Sequence, residues 1–170
     1  MNNKNIAIII LVISLISLLS GYIYAKNQIS ESGIIIFDTI KDEDWRVENY
    51  IFYPPSMTIV LVYSINNPTN ITVDVGMDID FYVGDYHLSN LSQNINLVPG
   101  NETTFEIKLA YNSEILEKIY SNDEAYTSFT MDGWYKVNGN VLFYPVEYLR
   151  KFDNEDVLSV LPAFDSSMTP

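Results

Sequence analysis

The stretch Ile71–Val83, ITVDVGMDIDFYV, decides the fold. Ile71, Val73, Val75, Met77, Ile79, Phe81 and Val83 share one parity, and Thr72, Asp74, Gly76, Asp78, Asp80 and Tyr82 share the other. Successive side chains of a strand point to opposite faces, so thirteen residues of period two predict a strand with one apolar and one wet face. Such a strand belongs to an antiparallel sheet that covers its apolar side with a second layer. Gly76 interrupts the wet parity and suggests a bulge.

Reading outward, the neighbouring segments supply that layer. Met57–Ile65 is apolar except at Thr58 and Ser64, as a central strand should be, and it stops at the turn cluster Asn66-Asn67-Pro68-Thr69-Asn70. Downstream, Gly84-Asp85 turns the chain into a short strand at Tyr86–Leu88, and Ile95–Val98 runs into the turn Pro99-Gly100-Asn101-Glu102. Thr103–Leu109 alternates again, with Phe105, Ile107 and Leu109 inward. Ile115, Leu116 and Ile119 have helical spacing, so Ser113–Tyr120 reads as a helix capped by Asn112 or Ser113. Tyr126–Val137 and Asn140–Leu149 read as strands joined at Asn138-Gly139, a favoured hairpin dipeptide. Upstream, Gly33–Ile40 is β-branched and aromatic and reads as a first strand. The charged segment 41–56, ending in Pro54-Pro55, reads as a long connection with Arg46–Phe52 paired at an edge. The expected fold class is all-β: one antiparallel sandwich of about seven strands with one short helix.

The N-terminus differs in kind. Ile6–Ala25, IAIIILVISLISLLSGYIYA, is uncharged, and at about 1.5 Å per residue it makes roughly 30 Å of helix, the thickness of a hydrocarbon core. Its seven Ile, four Leu and one Val favour insertion, and Tyr22 and Tyr24 fall where an interfacial aromatic belt would lie. An uncleaved transmembrane anchor and a signal peptide cut after Ala25 both fit; the length of the apolar run favours the anchor. The expected organisation is an anchor at 1–26, a polar linker at 27–32, the sandwich at 33–150, and a tail or short helix at 151–170. The expected site is the cell membrane, spanned once by residues 6–25, with the C-terminal domain outside the cytoplasm.

Charge follows the same division. All 22 carboxylates lie beyond residue 30, and residues 27–170 hold seven Lys/Arg, a net charge of −15 against −13 for the whole chain. That surface is a poor match to nucleic acid, whose binders need a basic face. With no cysteine there are no thiol nucleophiles, disulfides or iron–sulfur clusters, and a single histidine excludes multi-His metal sites. His87 lacks a recognisable nucleophile motif, so no catalytic residue, cofactor or metal is expected, and the protein reads as a non-enzyme. Asp74, Asp78, Asp80 and Asp85 could gather oxygens for Ca²⁺, but their spacing matches no EF-hand loop and a solvated face explains them. Three sequons make Asn70, Asn90 and Asn101 glycosylation candidates; Pro68 disqualifies Asn67. The 13 tyrosines fit either a protein- or carbohydrate-binding face or ordinary amphipathic strand positions.

A buried strand ending in Ile65-Asn66-Asn67-Pro68, then an alternating strand, then Leu97-Val98-Pro99-Gly100 before a third strand, resembles the late-embryogenesis-abundant type 2 (LEA14-like, water-stress and hypersensitive-response) family. The helix at 113–120 and the hairpin through Val137-Asn138-Gly139 fit the same order, so the resemblance covers roughly residues 33–150. It implies a fibronectin- or immunoglobulin-like sandwich with one helix, often behind an N-terminal membrane helix, and a role in stress protection with no catalytic residue. The segment 41–56 and the acidic surface depart from the family. The expected function is therefore a non-catalytic, membrane-anchored, extracytoplasmic sandwich, stress-protective or protein-binding. The alternatives are a pilin-like filament subunit and a surface adhesion module.

Overall fold

The computed structural model describes residues 3–121 and 129–157. In chain order the elements are α1 (Asn3–Asp38), β1 (Lys41–Phe52), β2 (Pro55–Asn66), β3 (Val73–Val83), β4 (Tyr86–Leu97), β5 (Glu102–Tyr111), α2 (Ser113–Tyr120), β6 (Phe129–Val141) and β7 (Tyr144–Val157). All strand pairs are antiparallel, in two sheets ordered β1-β2-β5 and β4-β3-β6-β7. The fold is the expected antiparallel sandwich with an apolar N-terminal helix.

The deciding strand behaves as its period dictates. Val73, Val75, Met77, Ile79, Phe81 and Val83 are buried in the core, while Asp74, Asp78, Asp80 and Tyr82 stay outside it. Gly76 is not a bulge. It pairs in register on both sides, and a Cβ there would stand 3.2 Å from the Trp134 ring, so the glycine makes room for an aromatic on β6. In this sheet the bulges fall instead between Phe81 and Tyr82 and between Met131 and Gly133. Helix α2 matches its expected bounds: the Asn112 side chain accepts from the Ile115 amide at 2.9 Å, and Ile115, Leu116 and Ile119 are buried.

Four expectations are corrected. First, Gly33–Ile40 is not a strand and 27–32 is not a linker; α1 runs unbroken to Asp38 over 36 residues, roughly 54 Å. The β-branched composition loses to a tertiary contact. Ala25, Ile29, Ser32, Gly33 and Ile36 fall on one helical stripe and are buried against β6 and β7. Burying Ile29 and Ile36 alone contributes about 3–6 kcal/mol. Second, the segment 41–56 is not mainly a connection: the edge pairing expected at Arg46–Phe52 is present and reaches back to Lys41, giving β1, a 12-residue strand exposed along its whole length. Third, the polar run Ser89–Asn94 does not end a short strand. Its backbone continues the β3 ladder, so β4 reaches Leu97.

Fourth, the last hairpin turns at Leu142-Phe143, not at Asn138-Gly139. Gly139 stays in the ladder between Val73 and Val146, and a Cβ on it would meet the Ile29 methyl at 2.4 Å. The glycine is used for close approach of α1 and is therefore not available as the turn. In the same region β7 continues through Val157, so residues 151–157 are strand and not the expected tail or short helix. The expected strand start at 126–128 and the segment 158–170 lie outside the described residues.

Three tyrosines give the core a pH limit. Burial pushes the Tyr63 hydroxyl up to about 12, helped by Asp42, and raises Tyr111 and Tyr135 strongly. The unfolded chain loses these protons near pH 10, whereas the folded chain keeps them, so stability is intact below about 10 and falls as pH rises through 12. Absorbance at 295 nm should show a first tyrosinate wave with structure intact, then a second that coincides with loss of the β-sheet circular dichroism signal. A single wave without unfolding would contradict this burial.

Candidate binding and membrane-facing surfaces

Helix α1 changes environment at Ala25. From Ile6 to Tyr24 its large side chains are solvent-exposed on every side, while Ala25, Ile29 and Ile36 are fully buried. The helix is long and apolar enough to cross a membrane. The buried half is held by ring contacts and close approach. Phe37 sits edge-on to Tyr135 at 5.2 Å, near Phe152 at 5.9 Å and under the Arg150 guanidinium at 4.5 Å. The Tyr148 ring lies against Gly33, where a Cβ would stand 2.4 Å from it. Lower on the helix, the Tyr144 hydroxyl donates to the Leu18 carbonyl at 3.0 Å, and its ring is 6.1 Å from that of Tyr22. The β6–β7 turn therefore lies beside the apolar segment 6–25.

A second surface is the face of β1. Trp45, Val47 and Tyr50 pair with Leu61, Ile59 and Met57, so they point to the same side as the buried face of β2. The sandwich nevertheless leaves them 43%, 41% and 51% exposed, and Phe52 at the tip more so. Tyr50 and Phe52 pack edge to face at 5.5 Å. On the opposite side Arg46 pairs with Glu106 at 2.7 Å and Lys108 with Glu48 at 2.8 Å. The Arg46 hydrogen bond holds the Glu106 carboxyl below its ordinary range. One side of β1 is thus a charged outer face and the other an aromatic stripe. The strand ends the sheet, so among the described residues no further strand pairs with its outer edge.

The acidic residues of β3 form a cross-strand ladder with β4. Asp74 accepts from Asn96 at 2.7 Å, Asp78 and Asp80 both accept from Asn90 at 3.1 Å, and His87 meets Asp80 at 2.9 Å. Asn90 and His87 lower the affinity of the Asp80 carboxylate for a proton. Among the described residues no three His or carboxylate groups converge as a metal site would require. His87 also lies edge-on to Tyr82 at 5.3 Å. Of the sequon residues, Asn70 is exposed in the β2–β3 turn and Asn101 is exposed just before β5. Asn90 sits within β4 with its amide nitrogen committed to the two aspartates.

Sequence reasoning singled out Asn66-Asn67-Pro68 for its turn chemistry but not for what Asn67 does. That residue is fully buried. Its amide donates to the carbonyls of Ile71 at 2.8 Å and Leu97 at 3.0 Å, and its side-chain oxygen accepts from the Thr69 amide and hydroxyl. Its backbone joins Asn101 and Gly100. One side chain thereby ties the β2–β3 turn to the end of β4. An open cleft of about 570 Å³ lies where α1 meets β6 and β7, with Lys26, Asp74, Asn138, Asn140 and Glu147 among its lining.

These features define a class: an antiparallel β-sandwich continuous with an apolar helix able to span a bilayer, with an aromatic edge strand left open. No family model matches the chain, and no curated protein matches it. Among solved structures it is similar to an ApaA protein of Bordetella pertussis, at 12% identity over 69% of this chain and 91% of that one, with a TM-score of 0.44. A protein of Archaeoglobus fulgidus is similar at 14% identity over 69% and 100% of the two chains, with a TM-score of 0.33. A solution structure from Arabidopsis thaliana is similar at 10% identity over 69% and 79%, with a TM-score of 0.36.

Proposed function

We propose that the protein is a non-catalytic, single-pass membrane protein whose sandwich faces outward and binds other proteins along β1, protecting them under stress. The observation that carries this reading is the uncovered stripe Trp45, Val47, Tyr50 and Phe52 on an edge strand. Aromatic side chains beside an open strand edge provide apolar contact and backbone pairing to an extended segment of a partner. The surrounding net charge keeps such a surface soluble and is unsuited to nucleic acid. Lys4 on the short side and the acidic, sequon-bearing domain on the other support the outward orientation. Membership of the late-embryogenesis-abundant type 2 family is part of this proposal and rests on the Asn66-Asn67-Pro68 and Leu97-Val98-Pro99-Gly100 turns. The non-enzymatic reading is part of the proposal and rests on the sequence, in which no recognisable nucleophile motif accompanies His87.

The test uses the full chain in lipid nanodiscs, with a heat-labile enzyme as client. The native protein is expected to suppress light scattering by the client. Trp45→Ser/Tyr50→Ser, which alters only half-exposed positions, is expected to lose most of that effect. Performance equal to an inert protein of the same charge would overturn the reading. If the domain is secreted in a glycosylating host, mass spectrometry is expected to find glycan on Asn70 and Asn101 and little on Asn90, whose nitrogen would have to leave Asp78 and Asp80.

A filament subunit is the second reading, favoured by α1 being one unbroken helix with a bare apolar half and a docked half. That reading expects extended assemblies by electron microscopy of membrane extracts, and the anchor reading expects dispersed protein.

A further inference from the structure

We propose that the β6–β7 turn, Leu142-Phe143, is a second membrane contact that enters the headgroup–acyl boundary beside the exit point of α1. The inference rests on the reading of α1 as a membrane span, and its test separates the two.

Depth is set by direct contacts. The Tyr144 hydroxyl bonds the Leu18 carbonyl, and a Cβ on Gly21 would touch the Tyr144 ring at 3.1 Å. Leu18 lies seven residues before Ala25, roughly 10 Å back along the helix. If α1 lies in a bilayer, the residues next to Tyr144 reach its outer boundary.

Chemistry agrees with depth. Phe143 is fully exposed and Leu142 is 59% exposed, so the turn presents two large apolar side chains to whatever surrounds α1. Both have positive φ, 50° and 72°, a conformation that Asn and Gly adopt far more readily. Asn138, Gly139 and Asn140 stand a few positions earlier, yet the chain turns on an apolar pair instead. Polarity is graded along the hairpin. The cleft lined by Lys26, Asn138, Asn140 and Glu147 comes first, then Tyr144 against Tyr22, then the apolar turn. That order matches headgroups, aromatic belt and acyl boundary.

The backbone limits the insertion. Val141 and Tyr144 pair and close the ladder, so only the two turn residues leave it. Unpaired backbone is excluded from the hydrocarbon centre but accepted at the interface. The outer boundary then falls at about Tyr22, and the 17 residues Ile6–Tyr22, roughly 25 Å of helix, still supply a span at the short end of the usual range.

The absence of cysteine makes the test clean. Leu11→Cys, Tyr53→Cys and Phe143→Cys, made singly in the full chain, are nitroxide-labelled and reconstituted in phosphatidylcholine–phosphatidylglycerol vesicles. Tyr53 is the control for water, since it caps the β1–β2 hairpin at the opposite end of β2 from Asn66, whose carbonyl meets Thr39. All three positions are exposed in the protein, so labelling leaves the core alone. Collision with a water-soluble nickel chelate is expected to be on the order of tenfold lower at 143 than at 53, with oxygen collision raised as it is at 11. Protection at 11 with a position 143 as open as 53 would overturn the proposal while leaving the anchor reading intact. An open position 11 would overturn both.

Discussion

Replacing Gly133 with alanine is expected to destabilise the domain by about 3–5 kcal/mol, enough to lower the thermal midpoint by roughly 10–20 °C. Gly133 lies at the β6 bulge, with φ of +139°, where L side chains are strained. A Cβ there would stand 2.1 Å from the Asp78 carbonyl oxygen and 2.9 Å from the Ile79 Cα. Both atoms belong to the backbone of β3, which is paired on each side by β4 and β6 and cannot retreat without opening a ladder. Gly100→Ala is the control. Its φ is +75°, but a Cβ there meets nothing within 4 Å, so it should cost only the conformational term of about 1 kcal/mol. Urea unfolding of the two variants measures the difference. Equal midpoints would mean that the contact with β3 is not made.

Asn67→Ala is expected to cost about 2–5 kcal/mol, because it leaves the carbonyls of Ile71 and Leu97 without their donor inside the protein. The same change frees Thr69, whose amide and hydroxyl both bond the Asn67 oxygen. Asn67→Asp keeps those acceptor contacts but turns a carboxylate toward two carbonyls in a fully buried position. It should be at least as damaging at neutral pH and less so in mild acid, where the protonated carboxyl can donate one bond. That pH dependence distinguishes a hydrogen-bonding role from simple packing. A loss confined to a few tenths of a kcal/mol in either variant would show that the turn holds without its side chain.

Legibility followed the range of the interaction. The β3 pattern, the α2 cap and the centre of β2 were readable because each depends on neighbours within a few residues. The acidic ladder was readable as a wet face, but its pairing of Asp78 and Asp80 through Asn90 was not. That pairing is fixed by the register of β3 against β4. The open aromatic face of β1 was hidden inside a segment read as a connection with only Arg46–Phe52 paired at an edge. Its charges, Asp42, Asp44, Arg46 and Glu48, masked the apolar parity of Trp45, Val47 and Tyr50, and a bulge between Val47 and Asn49 broke the period.

The sequence by itself determined the two phases of the molecule: an uncharged apolar helix and an acidic antiparallel sandwich. Hydropathy length and strand period are local quantities that a chain carries wherever it folds. Only the tertiary structure decided where one phase ends. Gly33–Asp38 is β-branched enough to be a strand, yet it is helical because Ile29, Gly33 and Ile36 bury against β6 and β7. The same packing takes Gly139 from the turn and gives that turn to Leu142-Phe143. Both outcomes depend on contacts more than a hundred residues apart in the chain, which no local pattern can encode.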